Sequence, residues 1–231
     1  MSDLFHVSSS PHVRSKVTTD RVMLLVILAL MPATFFGIYN FGFRALLLIV
    51  VTILSCVVSE FVFDKIVHKK NTITDFSAVV TGLLLALNLP AGLPIWEAII
   101  GGVFAIIIVK CLFGGLGQNF MNPALGARCF LLIAFAADMT NFNVTKGGVD
   151  VYTGATPLAL IRNEGLQSVN VKDMLLGFTS GTIGETSVIA ILIGAIILIL
   201  AGVIDLKIPG AYIVTFAIFM FIFGAERFDI N

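Results

Sequence analysis

The feature that most constrains this chain is a run of apolar stretches, each close to the length of a bilayer crossing, at about 22–39, 45–63, 76–93, 96–112, 123–137, 187–204 and 209–224. A helix crossing about 30 Å of hydrocarbon needs about 20 mostly apolar residues. In lipid, every backbone N–H and C=O must be satisfied internally, which leaves helices and closed barrels as the only spanning structures. The pattern predicts an all-α polytopic membrane bundle with seven spans. Composition agrees: 58% of residues are hydrophobic and 12% are charged, about half the charged fraction of a soluble domain.

Charge excludes another class. Lys plus Arg and Asp plus Glu each number 14, so no basic surface exists to neutralise phosphates, and no nucleic-acid partner is expected. Cys56, Cys111 and Cys129 are widely spaced, form no CxxC motif, and read as small buried hydrophobes. The first span follows a polar start and lacks a cleavage signal, so it reads as a retained helix rather than a signal peptide.

Lys and Arg near the membrane stay cytoplasmic. With the N-terminus inside, the inner side holds nine of them (Arg14, Lys16, Arg21, Lys65, Lys69, Lys70, Lys110, Arg128 and Lys207) and the outer side five (Arg44, Lys146, Arg162, Lys172 and Arg227). That orientation is favoured. Five crossings then put the 48-residue stretch 138–185 on the extracytoplasmic side. A loop this long is either functional or a disordered connector. It is not low-complexity, and 169–178 has an amphipathic pattern with Asn170 placed to cap a helix. The chain divides into an N-terminal cytoplasmic segment (1–21), a first five-helix membrane unit (22–137), the outer loop (138–185) and the start of a second membrane unit (186–231).

Two spans are interrupted. From Phe76 the apolar run meets Pro90 after 14 residues, about 21 Å of helix and short of the hydrocarbon thickness. The run Phe113-Gly114-Gly115-Leu116-Gly117-Gln118-Asn119-Phe120-Met121-Asn122-Pro123 breaks a second one, with Asn122 suited to an N-cap and Pro123 to the first helical turn. Non-helical backbone at membrane depth must be buried in protein or line a cavity, so a pocket is implied; close packing of small residues is the alternative reading of the glycines. Glu60, Asp64, Asp75, Glu97 and Asp205 fall near segment ends, where they reach the interface, so none reads as a buried ion ligand.

In the outer loop stands Asp150-Val151-Tyr152-Thr153-Gly154-Ala155-Thr156-Pro157. Thr156 has tiny residues before it and a proline after it, which biases it towards an extended backbone. Its hydroxyl suits modification by a docking enzyme, with Gly154 allowing close approach and Asp150 helping a metal-dependent transferase engage. From the residues alone, an ordinary turn with two threonines is the favoured explanation of the segment.

The pattern Asp-x-x-Thr-Gly-Ala-Thr matches a flavinylation signal, and it occurs with Gly-Leu-Gly-Gln-Asn-Phe-Met-Asn-Pro-Ala at 115–124 and Thr-Gly-Leu-Leu-Leu-Ala-Leu-Asn-Leu-Pro at 81–90. With these three motifs in order, the chain from about Phe5 onward resembles the NqrB/RnfD family of membrane flavoproteins. The likeness is closest to the RnfD component of the Rnf electron-transport complex and more distant to the NqrB component of the sodium-pumping NADH:quinone oxidoreductase. The resemblance implies a subunit of a complex in a prokaryotic plasma membrane. That complex passes electrons between ferredoxin and NAD and couples the transfer to Na⁺ or H⁺ movement.

It further implies FMN attached through a phosphoester to Thr156 by a flavin transferase, with Asp150, Thr153, Gly154 and Ala155 forming the recognition motif. A second, noncovalent flavin, usually riboflavin, would contact Asn119 and Asn122, and Tyr152 could stack beside a ring. Expected partners are a second FMN-bearing subunit on the outer side and iron–sulfur subunits. The family architecture is ten helices in two inverted sets of five; seven spans are legible here, and the reading frame is expected to continue beyond Asn231. Two other readings stay open: a channel or carrier for a small neutral solute, and a scaffold that binds neighbouring subunits without carrying electrons.

Overall fold

A computed structural model describes residues 18–68, 72–145, 151–153, 156–164 and 170–224. Its described residues form ten α-helices and one small hairpin. Helix α1 (Thr19–Phe41) and helix α2 (Phe43–Ile66), of 23 and 24 residues, are long and apolar enough to cross a membrane. Gly42, at φ 73°, turns the chain between them, a conformation for which a side chain is strained.

The other predicted spans are met by shorter helices. Helix α3 (Ser77–Leu87) stops after 11 residues, short of Pro90. Helix α4 (Ile95–Val103) runs on into a π-helical stretch, Phe104–Cys111. Helix α5 (Pro123–Ala134) is followed by one turn, α6 (Ala136–Met139). Strands β1 (Asn143–Thr145) and β2 (Val151–Thr153) then pair antiparallel, Val144 opposite Tyr152. This short ribbon is the exception in a described structure that is otherwise helical, as the sequence led one to expect. Helices α7 (Pro157–Glu164) and α8 (Val171–Leu176) complete the loop, and α9 (Val188–Leu200) and α10 (Lys207–Gly224) end the chain.

Helix α2 is the hub, packing on α3 and α4, while α1 packs on α9. One core cluster joins Leu48, Leu85, Leu89, Leu93 and Leu131; a second joins Ile49, Leu83, Leu87 and Ile183. Ile183 was expected in an outer loop, yet it is fully buried. The segment after α8 folds back: Ile183 N–H donates to Leu89 O at 3.0 Å and Gly184 N–H to Leu87 O at 2.8 Å. These remote amides serve the last carbonyl of α3, Leu87 O, and that of Leu89 just beyond it, where no further helical turn supplies partners. Gly37 of α1 makes room for the return, since a Cβ there would lie 2.6 Å from Ile183 O.

The glycine run at 114–117 serves loop geometry rather than helix packing. Gly114, Gly115 and Gly117 have φ of 115°, 103° and 84°, and nothing lies within 4 Å of a Cβ at Gly115 or Gly117. Both predicted asparagine caps are present. Asn122 Oδ1 accepts from Ala124 N and Leu125 N, and Asn170 Oδ1 accepts from Lys172 N.

Candidate functional site

The loop threonine is built from local geometry. Strand β2 ends at Thr153, opposite Asn143, and Thr156 occupies the position before Pro157, the first residue of α7. The carbonyl of Thr156 accepts the Leu160 N–H at 3.0 Å, so Thr156 is the residue from which α7 starts. It is half-buried. The first N–H groups of a helix have no internal partners and favour an anion beside them. Asp150, Gly154 and Ala155 lie outside the described residues. Thr153 and Tyr152 are placed by backbone register alone.

The asparagine run is separated from that threonine in sequence and serves its own loop. Asn119 Nδ2 donates to Met121 O at 2.9 Å. Asn122, besides capping α5, borders an apolar cavity of about 640 Å³ lined by Phe104, Phe113, Phe120, Met121 and Phe130 among others. Phe104 and Phe130 stack there with centroids 4.3 Å apart. Asn119 is not among the lining residues. An aromatic cavity with one polar group at its rim suits a flat heteroaromatic ring.

Two polar clusters went unforeseen. In the first, Lys110 Nζ lies 2.7 Å from Glu60 Oε1 and donates to Ser77 Oγ at 2.6 Å. Thr72 Oγ1 donates to Glu60 Oε1 at 2.6 Å, and Thr72 N and Oγ1 both reach Asp64 Oδ2; Ser77 bonds Asp75. Glu60, Asp64, Thr72 and Asp75 border a cavity of about 220 Å³. Glu60 and Lys110 are 1% and 2% exposed, and Asp64 and Glu97 are also buried. That corrects the expectation that the carboxylates near segment ends face the interface: α2 and the π-helical stretch close over Glu60, so a lysine from a separate span supplies its counter-charge. The signal available in the sequence was a pair of opposite charges, Glu60 and Lys110, each inside an apolar run.

In the second, Arg128 Nη1 donates to Asn88 Oδ1 at 2.7 Å and reaches Glu185 Oε1 at 3.4 Å. Asn88 Nδ2 in turn donates to Leu84 O. Arg128 and Lys110, counted above on the inner side, make tertiary contacts. Among the cysteines, Cys56 and Cys111 are buried as expected, whereas Cys129 is exposed beside the aromatic cavity. Among the described residues, no group of three or more His, Cys, Asp or Glu is placed to hold a metal ion.

The chain is similar to components of two kinds of ion-translocating oxidoreductase. It is 46% identical over 223 residues to the D component of the Na(+)-translocating ferredoxin:NAD(+) oxidoreductase complex of Acetobacterium woodii, covering 95% of this chain and 70% of that protein. It is 40% identical over 232 residues to the D component of the proton-translocating ferredoxin:NAD(+) oxidoreductase complex of Clostridium ljungdahlii, covering 96% and 70%. Similarity extends to the B component of the Na(+)-translocating NADH-quinone reductase of Chromohalobacter salexigens, at 31% over 266 residues, with 96% and 64% covered. A family model matches residues 6–231, nearly the whole chain, and together with these identities it shows that the chain belongs to the NQR2, RnfD, RnfE family.

Proposed function

We propose that this chain is a membrane subunit of an ion-translocating ferredoxin:NAD oxidoreductase and carries FMN as a phosphoester on Thr156. The observation that carries the reading is the position of Thr156 at the start of α7, three residues beyond the end of strand β2 in sequence. The residue fits the group: Thr156 stands at the start of a helix, whose free N–H groups favour phosphate. Asp150, Thr153, Gly154 and Ala155 complete the signal that a flavin transferase reads. Bound there, FMN supplies one- and two-electron redox chemistry; the protein holds and orients it. A covalent tether keeps the group at high effective concentration on a water-facing surface, where weak contacts would lose it to dilution.

A noncovalent riboflavin would take the aromatic cavity beside Asn122. Asn119 then acts one step back, by holding the turn through Met121 O. The N-terminus lies in the cytoplasm and the Thr156 loop on the outer side of a prokaryotic plasma membrane, as the Lys and Arg balance favours. The chain supplies seven spans of a ten-helix, twice-repeated architecture, and works with a second FMN-bearing subunit and iron–sulfur subunits. A small-solute carrier is the rival reading, and the early end of α3 beside a cavity of about 290 Å³ that includes Asn88 and Glu185 favours it.

One measurement separates the two. Denaturing-gel fluorescence of the native protein reports a flavin that survives SDS only if it is covalent. Thr156→Val removes that signal completely under the flavoprotein reading. A fluorescent band persisting in the variant, or a bare polypeptide mass in protein from its native host, would overturn it.

A further inference from the structure

The cavity of about 220 Å³ at the C-terminal end of α2 draws its walls from three parts of the chain. Glu60 and Asp64 come from α2, Thr72 and Asp75 from the segment before α3, and Gly114 and Gly115 from the glycine run. Glu60 is 1% exposed, and its Oε2 has no hydrogen-bond partner. A carboxylate oxygen taken out of water with nothing in return is costly, so a group of opposite polarity belongs beside it.

The local donors are already committed. Lys110 Nζ and Thr72 Oγ1 both meet the other oxygen, Glu60 Oε1, at 2.7 and 2.6 Å. Thr72 N and Oγ1 also reach Asp64 Oδ2, at 3.0 and 2.9 Å, and one hydroxyl proton serves only one carboxylate at a time. Ser77 gives its N–H and its hydroxyl to Asp75 Oδ1. The charges are out of balance in the same sense. Three carboxyl groups line the cavity, and the cation paired with them is Lys110. Lys65, the neighbour of Asp64 on α2, is exposed and is not among the lining residues.

We propose that this cavity binds one alkali-metal cation, with Glu60 Oε2 as its anchoring ligand and water completing its shell. The offered groups are oxygens, which suit hard cations. A divalent ion of that kind takes about six to eight oxygens and commonly several carboxylates. Here no group of three acids is placed to hold a metal among the described residues, and the Lys110 ammonium stands 2.7 Å from Glu60. A single charge that keeps part of its water fits both facts. Room for that water is left by Gly115, at φ 103°, where nothing lies within 4 Å of an added Cβ. Once bound, the ion ties the segment before α3 and the glycine run to the end of α2; it need not cross the membrane. The site does not rest on flavin attachment, so Thr156→Val leaves it in place.

The test uses the full chain purified in detergent, titrated with NaCl or KCl against choline chloride at constant ionic strength. Equilibrium dialysis with radiolabelled sodium should show saturable binding of one ion per chain, and the thermal midpoint should rise with Na⁺ or K⁺ and not with choline. Asp64→Asn keeps an oxygen acceptor for Thr72 and removes one charge, so it should raise the half-saturating concentration about tenfold. Glu60→Gln should abolish saturable binding. The proposal is overturned if the wild-type chain binds no alkali ion saturably, if binding is unchanged in both variants, or if Ca²⁺ or Mg²⁺ binds there more tightly than Na⁺ and K⁺. Should Glu60→Gln fail to fold, the shift in Asp64→Asn decides alone.

Discussion

The two interruptions of the apolar sequence are answered in opposite ways. At the end of α3, the freed carbonyls of Leu87 and Leu89 take their partners from residues nearly 100 positions later, Gly184 and Ile183. Asn88 there is held by Arg128 of α5. At the glycine run before α5, the partners are neighbours: Asn122 caps Ala124 and Leu125, Asn119 holds Met121 O, and Gly115 N–H donates to Lys110 O. Both solutions satisfy the demand that membrane-depth backbone leave no polar group unpaired. They differ in what they require. The first works only once the whole bundle is assembled, while the second needs a few residues of the right kind in sequence.

Perturbing remote and local partners should therefore give unequal results. The largest effect is expected at the longest-range polar contact of the buried cluster, Lys110 with Glu60, 50 residues apart. Lys110→Met leaves a buried carboxylate unpaired and should lower stability by about 3–5 kcal/mol, read as a drop in thermal midpoint of the detergent-solubilised protein. Adding Glu60→Gln to that variant should recover much of the loss, and equal destabilisation in the single and double variants would argue against a buried charge as its cause. Next, Asn88→Ala removes a charge-assisted hydrogen bond from Arg128 and one to Leu84 O, for about 1.5–3 kcal/mol. Proteolysis near 178–187 should rise with it, as the returning segment loses its hold. The smallest effect belongs to the local solution: Asn122→Ala removes a helix cap, about 1 kcal/mol. It should leave the 178–187 protection pattern unchanged. A larger loss from Asn122→Ala than from Asn88→Ala would reverse the comparison.

The legible parts of this protein follow the same division. Asn122 and Asn170 read correctly as caps because an N-cap is a contact between a side chain and amides two or three residues on. Pro90 and the glycines marked the breaks because their backbone effects are intrinsic. Asp64, Glu60 and Glu97 misled, since distance along the chain from a segment end says nothing about whether another helix covers the residue. Ile183 misled in the same way: it sits in a polar stretch, yet becomes core because α1 offers Gly37 and the chain at the end of α3 offers the carbonyls of Leu87 and Leu89. Thr156 lies between. Its motif was legible, while its position at the start of α7 after a paired ribbon was not.

By itself, the sequence determined that this is a helical membrane chain, where its helices break, which residues cap them and which threonine bears the flavinylation pattern. Each of these is written in residues close to one another, as periodicity, φ preference or a short motif. The tertiary structure alone decided that Lys110 pairs with Glu60, that Ile183 and Gly184 return to bond the chain at the end of α3, and that Glu97 is buried. Those facts depend on which surfaces meet, and in a chain that is apolar almost throughout, nearly any pair of surfaces satisfies the hydrophobic pattern equally well.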